Sequence, residues 1–146
     1  MSIVDKTPSS QTERIEMEVE LAHAPAKVWR ALTEPELLTE WLLPVFGLSL
    51  EPGVAFTFQA PPQPEWDGKV RCKLLSVAPM ERISWSWVVG DMDTVVTFTL
   101  EAIDTGTRLS LLHTGFAEHQ KKNFGGARYG WKMMGGQLVE LLGRTS

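Results

Sequence analysis

Three histidines, one cysteine and six tryptophans are the residues of this 146-residue chain whose types could carry chemistry or shape a site. His113 stands in TRLSLLHT, in register with Leu109 and Leu111, so an alternating strand turns its imidazole inward with them. An inward imidazole can act as acid or base, or hydrogen-bond a ligand. It can equally close a strand end, satisfied by a neighbour or a water. No partner for a triad is evident, so no catalytic residue is assigned and His113 stands as the one candidate. His23 sits at a strand–helix corner and His119 in a polar loop, and both read as exposed. Without HxxxH or clustered Cys/His spacing, neither a metal site nor a cofactor is expected. Cys72 lies in the apolar register of KVRCKLL while Arg71 and Lys73 point the other way, which reads as an inert buried thiol.

The aromatic residues make a second constellation. Trp85 and Trp87 share one face of ISWSW, Phe56 and Phe58 one face of VAFTF, and Phe98 the inward register of VVTFTL. Trp131 lies in a helical pattern near the C-terminus. If these rings converge, they line a ligand pocket with aromatic walls and His113 as polar anchor, or they form a packed core. Gly135-Gly136 inside the helical pattern costs on the order of 1 kcal/mol per glycine relative to alanine. Gly135, one turn from Trp131, either leaves space or admits a close approach. The candidate ligand-binding residues are therefore Phe56, Phe58, Trp85, Trp87, Phe98, His113, Trp131 and Gly135. Trp66, after APPQPE, belongs to a loop at the mouth of such a cavity, as a gate or as a loop anchor. Glu65 and Asp67 read as turn carboxylates. Gly125-Gly126 is followed by no lysine–serine/threonine pair, so it is not a phosphate loop. It reads as a flexible entry to the last helix.

The elements that must position these residues follow from periodicity. RIEMEVEL, residues 14–21, alternates strictly and predicts a half-buried strand. APAKVWRALTEPELLTEWLLP cannot be one helix, because Pro35 disfavours helix at the residue before it. It predicts two short helices with apolar faces at Val28, Trp29, Leu32 and at Leu37, Leu38, Trp41, Leu42. Period two then returns in VAFTF, KVRCKLL, ISWSW, VVTFTL and TRLSLLHT, separated by turn residues at hairpin spacing, so the sheet is antiparallel. Residues 114–126 read as a connection. GARYGWKMMGGQLVELLG resumes helical spacing, with Ala127, Trp131, Met134, Leu138 and Leu141 on one seam. Residues 1–11 read as a disordered terminus and 12–146 as a single domain. The fold class is α+β. A curved antiparallel sheet of about six or seven strands wraps a long C-terminal helix, with two short helices after the first strand closing one end.

Composition excludes some partners. With a net charge of −4 and a pI near 5.4, the chain lacks the basic face of a nucleic-acid binder. No apolar run approaches the roughly 18 residues of a membrane span. MSIVDKTPSSQTE is not a secretory signal, and a single cysteine forms no internal disulfide. A cytoplasmic location is expected.

The ordered series APAKVWRALTEPELLTEWL, GVAFTF, WDGKVRCKLLSVAPMERISWSW, TVVTFTLEAIDTGTRLSLLHTGF and GWKMMGGQLVELL covers roughly residues 12 to 143. It resembles the activator of heat-shock-protein ATPase (Aha) C-terminal-domain family, within the START and birch-pollen-allergen-like (SRPBCC, helix-grip) superfamily. The resemblance implies a cavity between sheet and C-terminal helix, and a superfamily whose members include lipid carriers, cyclases, hydrolases and chaperone partners. Eukaryotic co-chaperones of the family carry a separate N-terminal domain, which is not seen in this sequence. The leading expectation is binding of a small, largely apolar molecule. The alternatives are a cyclase or hydrolase using the same cavity with His113 as acid or base, and a single-domain chaperone-partner module.

Overall fold

The structure, a computed structural model, describes residues 3–8, 12–64 and 66–145. Glu65 and residues 1, 2, 9–11 and 146 lie outside the described residues, so the expectations for Glu65 and for part of the N-terminal segment are not addressed by it. The strands are β1 (Val4–Asp5), β2 (Arg14–Leu21), β3 (Val45–Phe46), β4 (Ala55–Gln59), β5 (Lys69–Ala78), β6 (Arg82–Val89), β7 (Met92–Ile103) and β8 (Gly106–Thr114). The helices are α1 (Pro25–Thr33), α2 (Pro35–Trp41) and α3 (Lys121–Arg144), with a 3-10 turn at Glu118–Gln120 before α3. The eight strands form one sheet in the order β1-β2-β8-β7-β6-β5-β4-β3. Every neighbouring pair is antiparallel.

The count of eight exceeds the six or seven expected because β1 and β3 have two residues each, too short to show a period. Where the sequence suggests a frayed terminus, Val4 and Asp5 pair with Glu18 and Met17 of β2. In β2, Ile15, Met17, Val19 and Leu21 are buried as their alternation requires. β2 pairs with β8, so α1 and α2 must carry the chain across the open end of the sheet to β3 on the far edge. Glu34, extended at φ −84 and ψ 121, ends α1 and starts α2, as the proline behind it demands. Trp41 is the tryptophan that seals this end. Its indole N–H donates to the Ala31 carbonyl at 2.8 Å, and its ring meets Phe98 edge-on at 6.1 Å.

Helix α3 lies across the concave face and is held at three places. At its C-terminus the Lys27 ammonium donates to the carbonyls of Leu142 (2.7 Å) and Thr145 (2.6 Å), which have no partner inside the helix. A cation also suits that end of the helix dipole. Midway, Asp5 of β1 pairs with Arg128 and with Lys132 (3.4 Å). Just before its N-terminus, His119 meets the Asp91 carboxylate at 2.9 Å and the Gln120 amide donates to the Asp91 carbonyl at 3.1 Å. The helix begins a turn earlier than its glycines suggest. Phe124 packs edge-on against Phe116 at 5.3 Å, and that burial carries helix through Gly125-Gly126. No helix among the described residues is long and apolar enough to cross a membrane.

Candidate functional site

The period of two along β4, β6, β7 and β8 brings the predicted rings to one face, and α3 lowers Trp131 onto them. Phe58 lies 5.6 Å from Trp87, Trp85 5.5 Å from Phe98, and Trp131 5.5 Å from Trp87 and 5.8 Å from Phe98. Phe56 closes the series, edge-on to both Phe58 and Trp85 at 5.7 Å. Tilted and edge-on arrangements at these distances are the favoured geometry for aromatic pairs. Beneath them His113, 0% exposed, belongs to a directed chain of hydrogen bonds. The Trp131 indole N–H donates to His113 Nδ1 at 2.9 Å, and the Thr94 hydroxyl lies 2.7 Å from His113 Nε2 and donates to the Trp87 carbonyl, also at 2.7 Å. An indole can only donate, so Nδ1 accepts and the ring proton sits on Nε2, aimed at Thr94 Oγ1. Burial drives the imidazole pKa from 6.5 down to about 3. Both ring nitrogens are in use, and the ring is neutral at pH 7.

Above this lattice a cavity of about 650 Å³ opens to solvent between α3 and the sheet. Its sheet wall is Val70, Trp87, Val89 and Met92, with Leu43 from the end of the helical crossover. Its helix wall is Gly126, Ala127, Gly130, Trp131 and Met134. The rim carries Gln63 and Trp66 of the β4–β5 loop and Lys122 and Asn123 of α3. The loop is locked at its base. Gly68, at φ +82, would place a Cβ 2.2 Å from the Ala60 carbonyl oxygen, so no other residue fits there. Trp66 both lines the cavity and anchors its loop, donating its indole N–H to the Lys69 carbonyl at 3.0 Å.

A family model described as "Activator of Hsp90 ATPase homolog 1-like protein" matches residues 22–143. The chain belongs to that family. Protein MLL2253 from Mesorhizobium loti has a similar structure, at 35% identity and a TM-score of 0.84 over 91% of this chain and 98% of that one. Protein NE0264 from Nitrosomonas europaea is similar at 25% identity and a TM-score of 0.75, over 94% of this chain and 99% of that one. CalU16 from Micromonospora echinospora, at 23% identity and 0.75 over 98% and 85% of the two chains, shares the fold. No curated protein matches the sequence.

Within this member of the Hsp90 ATPase activator homolog 1-like family, the predicted site residues divide. Trp87 and Trp131 line the open cavity. Phe56, Phe58, Trp85 and Phe98 are buried in the layer behind them, and His113 lies below. Trp85 has the one buried side-chain polar atom without a hydrogen-bond partner among the described residues, its indole nitrogen, and Trp85 does not line the cavity. Gly135 admits a close approach and leaves no space: a Cβ there would lie 2.6 Å from the Ile3 side chain. Only about 20 Å³ remains at that point, walled by apolar groups. Cys72 is buried, and burial pushes its thiol up to about 12, as an inert thiol requires. Sequence reasoning placed Trp131 in the site, with Ala127 and Met134 on its seam, but missed the glycine part of the helix wall, Gly126 and Gly130. Its signal was available in the spacing of Lys122, Gly126, Gly130 and Met134, each four residues apart, but only if helix is continued back through the glycines.

Proposed function

We propose that this protein binds a small, largely apolar molecule in the cavity between α3 and strands β5 to β7. The observation that carries this is the small-residue wall of the helix. A Cβ built at Gly126 or Gly130 would meet nothing within 4 Å. Neither glycine serves a turn or a close contact there, although each costs a helix about 1 kcal/mol relative to alanine. What they provide is volume. About 650 Å³ falls within the 300–1,000 Å³ usual for small-molecule sites. The lining chemistry favours binding over turnover. Among the described lining residues Lys122 is the only ionisable side chain, and His113 spends both nitrogens elsewhere.

The test is a thermal-shift and tryptophan-fluorescence screen of fatty acids, sterols, flavonoids and aromatic polyketides. A ligand at a hundred times its dissociation constant adds roughly 2.7 kcal/mol, a rise of about 5–10 °C for a chain of this size. Hits should quench Trp87 and Trp131 and be weakened in Gly130→Leu, whose side chain occupies part of the cavity against Trp131. Hits that bind Gly130→Leu and Trp131→Ala unchanged would place the site elsewhere. A flat screen would shift the reading toward a protein partner.

A further inference from the structure

We infer that the ligand is an amphipathic anion, with its apolar body against Trp87, Trp131 and Met134 and its charged head at Lys122. This rests on the binding reading above and adds the chemical class and orientation of the molecule. The cavity is polar at one end only. Deep in the site the polar groups next to the lining rings are committed to one another: the Trp131 indole to His113, His113 to Thr94, and Thr94 to the Trp87 carbonyl. The rings of Trp87 and Trp131 therefore offer a ligand apolar surface. The polar side chains that could meet a polar head stand together at the rim: Lys122, Asn123 and Gln63, whose amide N–H also reaches the Pro61 carbonyl at 3.4 Å while its oxygen is left to accept.

Among them Lys122 carries the charge, and no carboxylate among the described residues forms an ion pair with it. Further along α3, Arg128 and Lys132 pair with Asp5 and Arg144 with Glu140, while Lys121, like Lys122, makes no ion pair among the described residues but does not line the cavity. Of the acids at this end, Asp91 is engaged by His119, and Glu118, four residues before Lys122, makes no ion pair with it. Lys122 makes no ion pair among the described residues, and a cation in the first turn opposes the helix dipole, so helix stability does not explain it. It stands one turn above Gly126 and two above Gly130, over the open groove those glycines leave. Its methylene stem can follow the apolar wall while the ammonium meets an anion at the water line. A carboxylate, sulfate or phenolate on an apolar body satisfies both ends, whether the body is an acyl chain or a fused aromatic.

The experiment compares matched twins by tryptophan fluorescence: dodecanoate against dodecanol, and 2-naphthoate against 2-naphthalenemethanol, at pH 7.5 and low salt. Wild type should bind the anion of at least one pair about fivefold or more tightly than its neutral twin. The pair that binds distinguishes an acyl from an aromatic body. The preference should vanish in Lys122→Gln, reverse in Lys122→Glu and shrink in 0.5 M salt, as a half-exposed charge contact must. Position 122 is exposed, and unchanged circular dichroism in both variants would show that the fold survives. Twins that bind equally, or a preference that persists in Lys122→Gln, would overturn the anionic head and leave apolar binding standing. If neither member of either pair binds while a neutral sterol or flavonoid does, the anion inference fails alone. If nothing binds at all, both readings fail together.

Discussion

Trp131 has one proton to donate, and that proton sets the state of His113. With Nδ1 accepting from the indole, the imidazole must carry its hydrogen on Nε2. Protonation would turn Nδ1 into a donor facing another donor, besides charging a group with no access to water. Burial accordingly holds the pKa at about 3 against 6.5 in the unfolded chain. The sign of the linkage follows. Below pH 6.5 the unfolded state takes up a proton that the native state refuses, so stability falls as pH falls, and this continues until about pH 3. The slope is roughly 1.4 kcal/mol per pH unit once the unfolded imidazole is fully protonated. We expect His113→Gln to be less stable than wild type by about 1–3 kcal/mol at pH 7.5. It should also be less sensitive to acid, so that urea midpoints of the two proteins converge between pH 7.5 and 5. Parallel midpoints across that range would show that His113 does not titrate on unfolding.

Among the elements, α3 combines two demands that conflict locally. It must be continuous to cover the concave face, and it must be thin where the cavity lies. Its apolar seam of Phe124, Trp131, Leu138 and Leu141 meets the first demand through burial. Gly126 and Gly130 meet the second at the expense of helix propensity, and Ala127 meets it without that cost. Gly126→Ala should therefore stabilise the free protein by about 1 kcal/mol, roughly 3 °C in Tm, since nothing obstructs the added methyl group. A drop in Tm would mean that the glycine serves a backbone need which the space around it does not reveal. The same logic separates Gly135 from its neighbours. There a methyl group would strike Ile3, so the missing side chain serves packing between the ends of the chain.

At the scale of the whole molecule, the N-terminal segment is part of the grip. Ile3 fills the gap at Gly135, and Asp5 joins β1 to Arg128 and Lys132 of α3. Burial alone would raise the Asp5 pKa. Hydrogen bonds from Thr7, Arg128 and Lys132 outweigh it and hold the carboxyl well below its ordinary 3.8. A carboxylate depressed in this way stabilises the fold fully above 3.8, and that contribution is lost progressively as pH falls below it. Asp5→Asn should cost about 2 kcal/mol at neutral pH. The gap to wild type should persist at pH 5 and narrow below pH 4. A gap independent of pH down to 2.5 would assign the loss to packing instead of charge.

Much of this was legible in local pattern. Strict alternation in RIEMEVEL and TRLSLLHT decides which faces are buried, because a strand's period admits one answer. Pro35 divides α1 from α2 by sterics within two residues, and the inward register of Trp85, Trp87, Phe98 and His113 follows from the same period. Two-residue strands and the first turn of α3 have no such signature. Val4 and Phe46 become strand only because a neighbour supplies hydrogen bonds, and Gly125-Gly126 becomes helix only because Phe124 finds Phe116. By itself, then, the sequence determined which residues face inward, since facing is a local periodicity. Only the tertiary structure decided which inward residues touch open space and which touch one another. Trp87 and Phe58 share an interior, yet one borders the cavity and the other does not, because α3 sets glycine opposite the first and long-range packing surrounds the second.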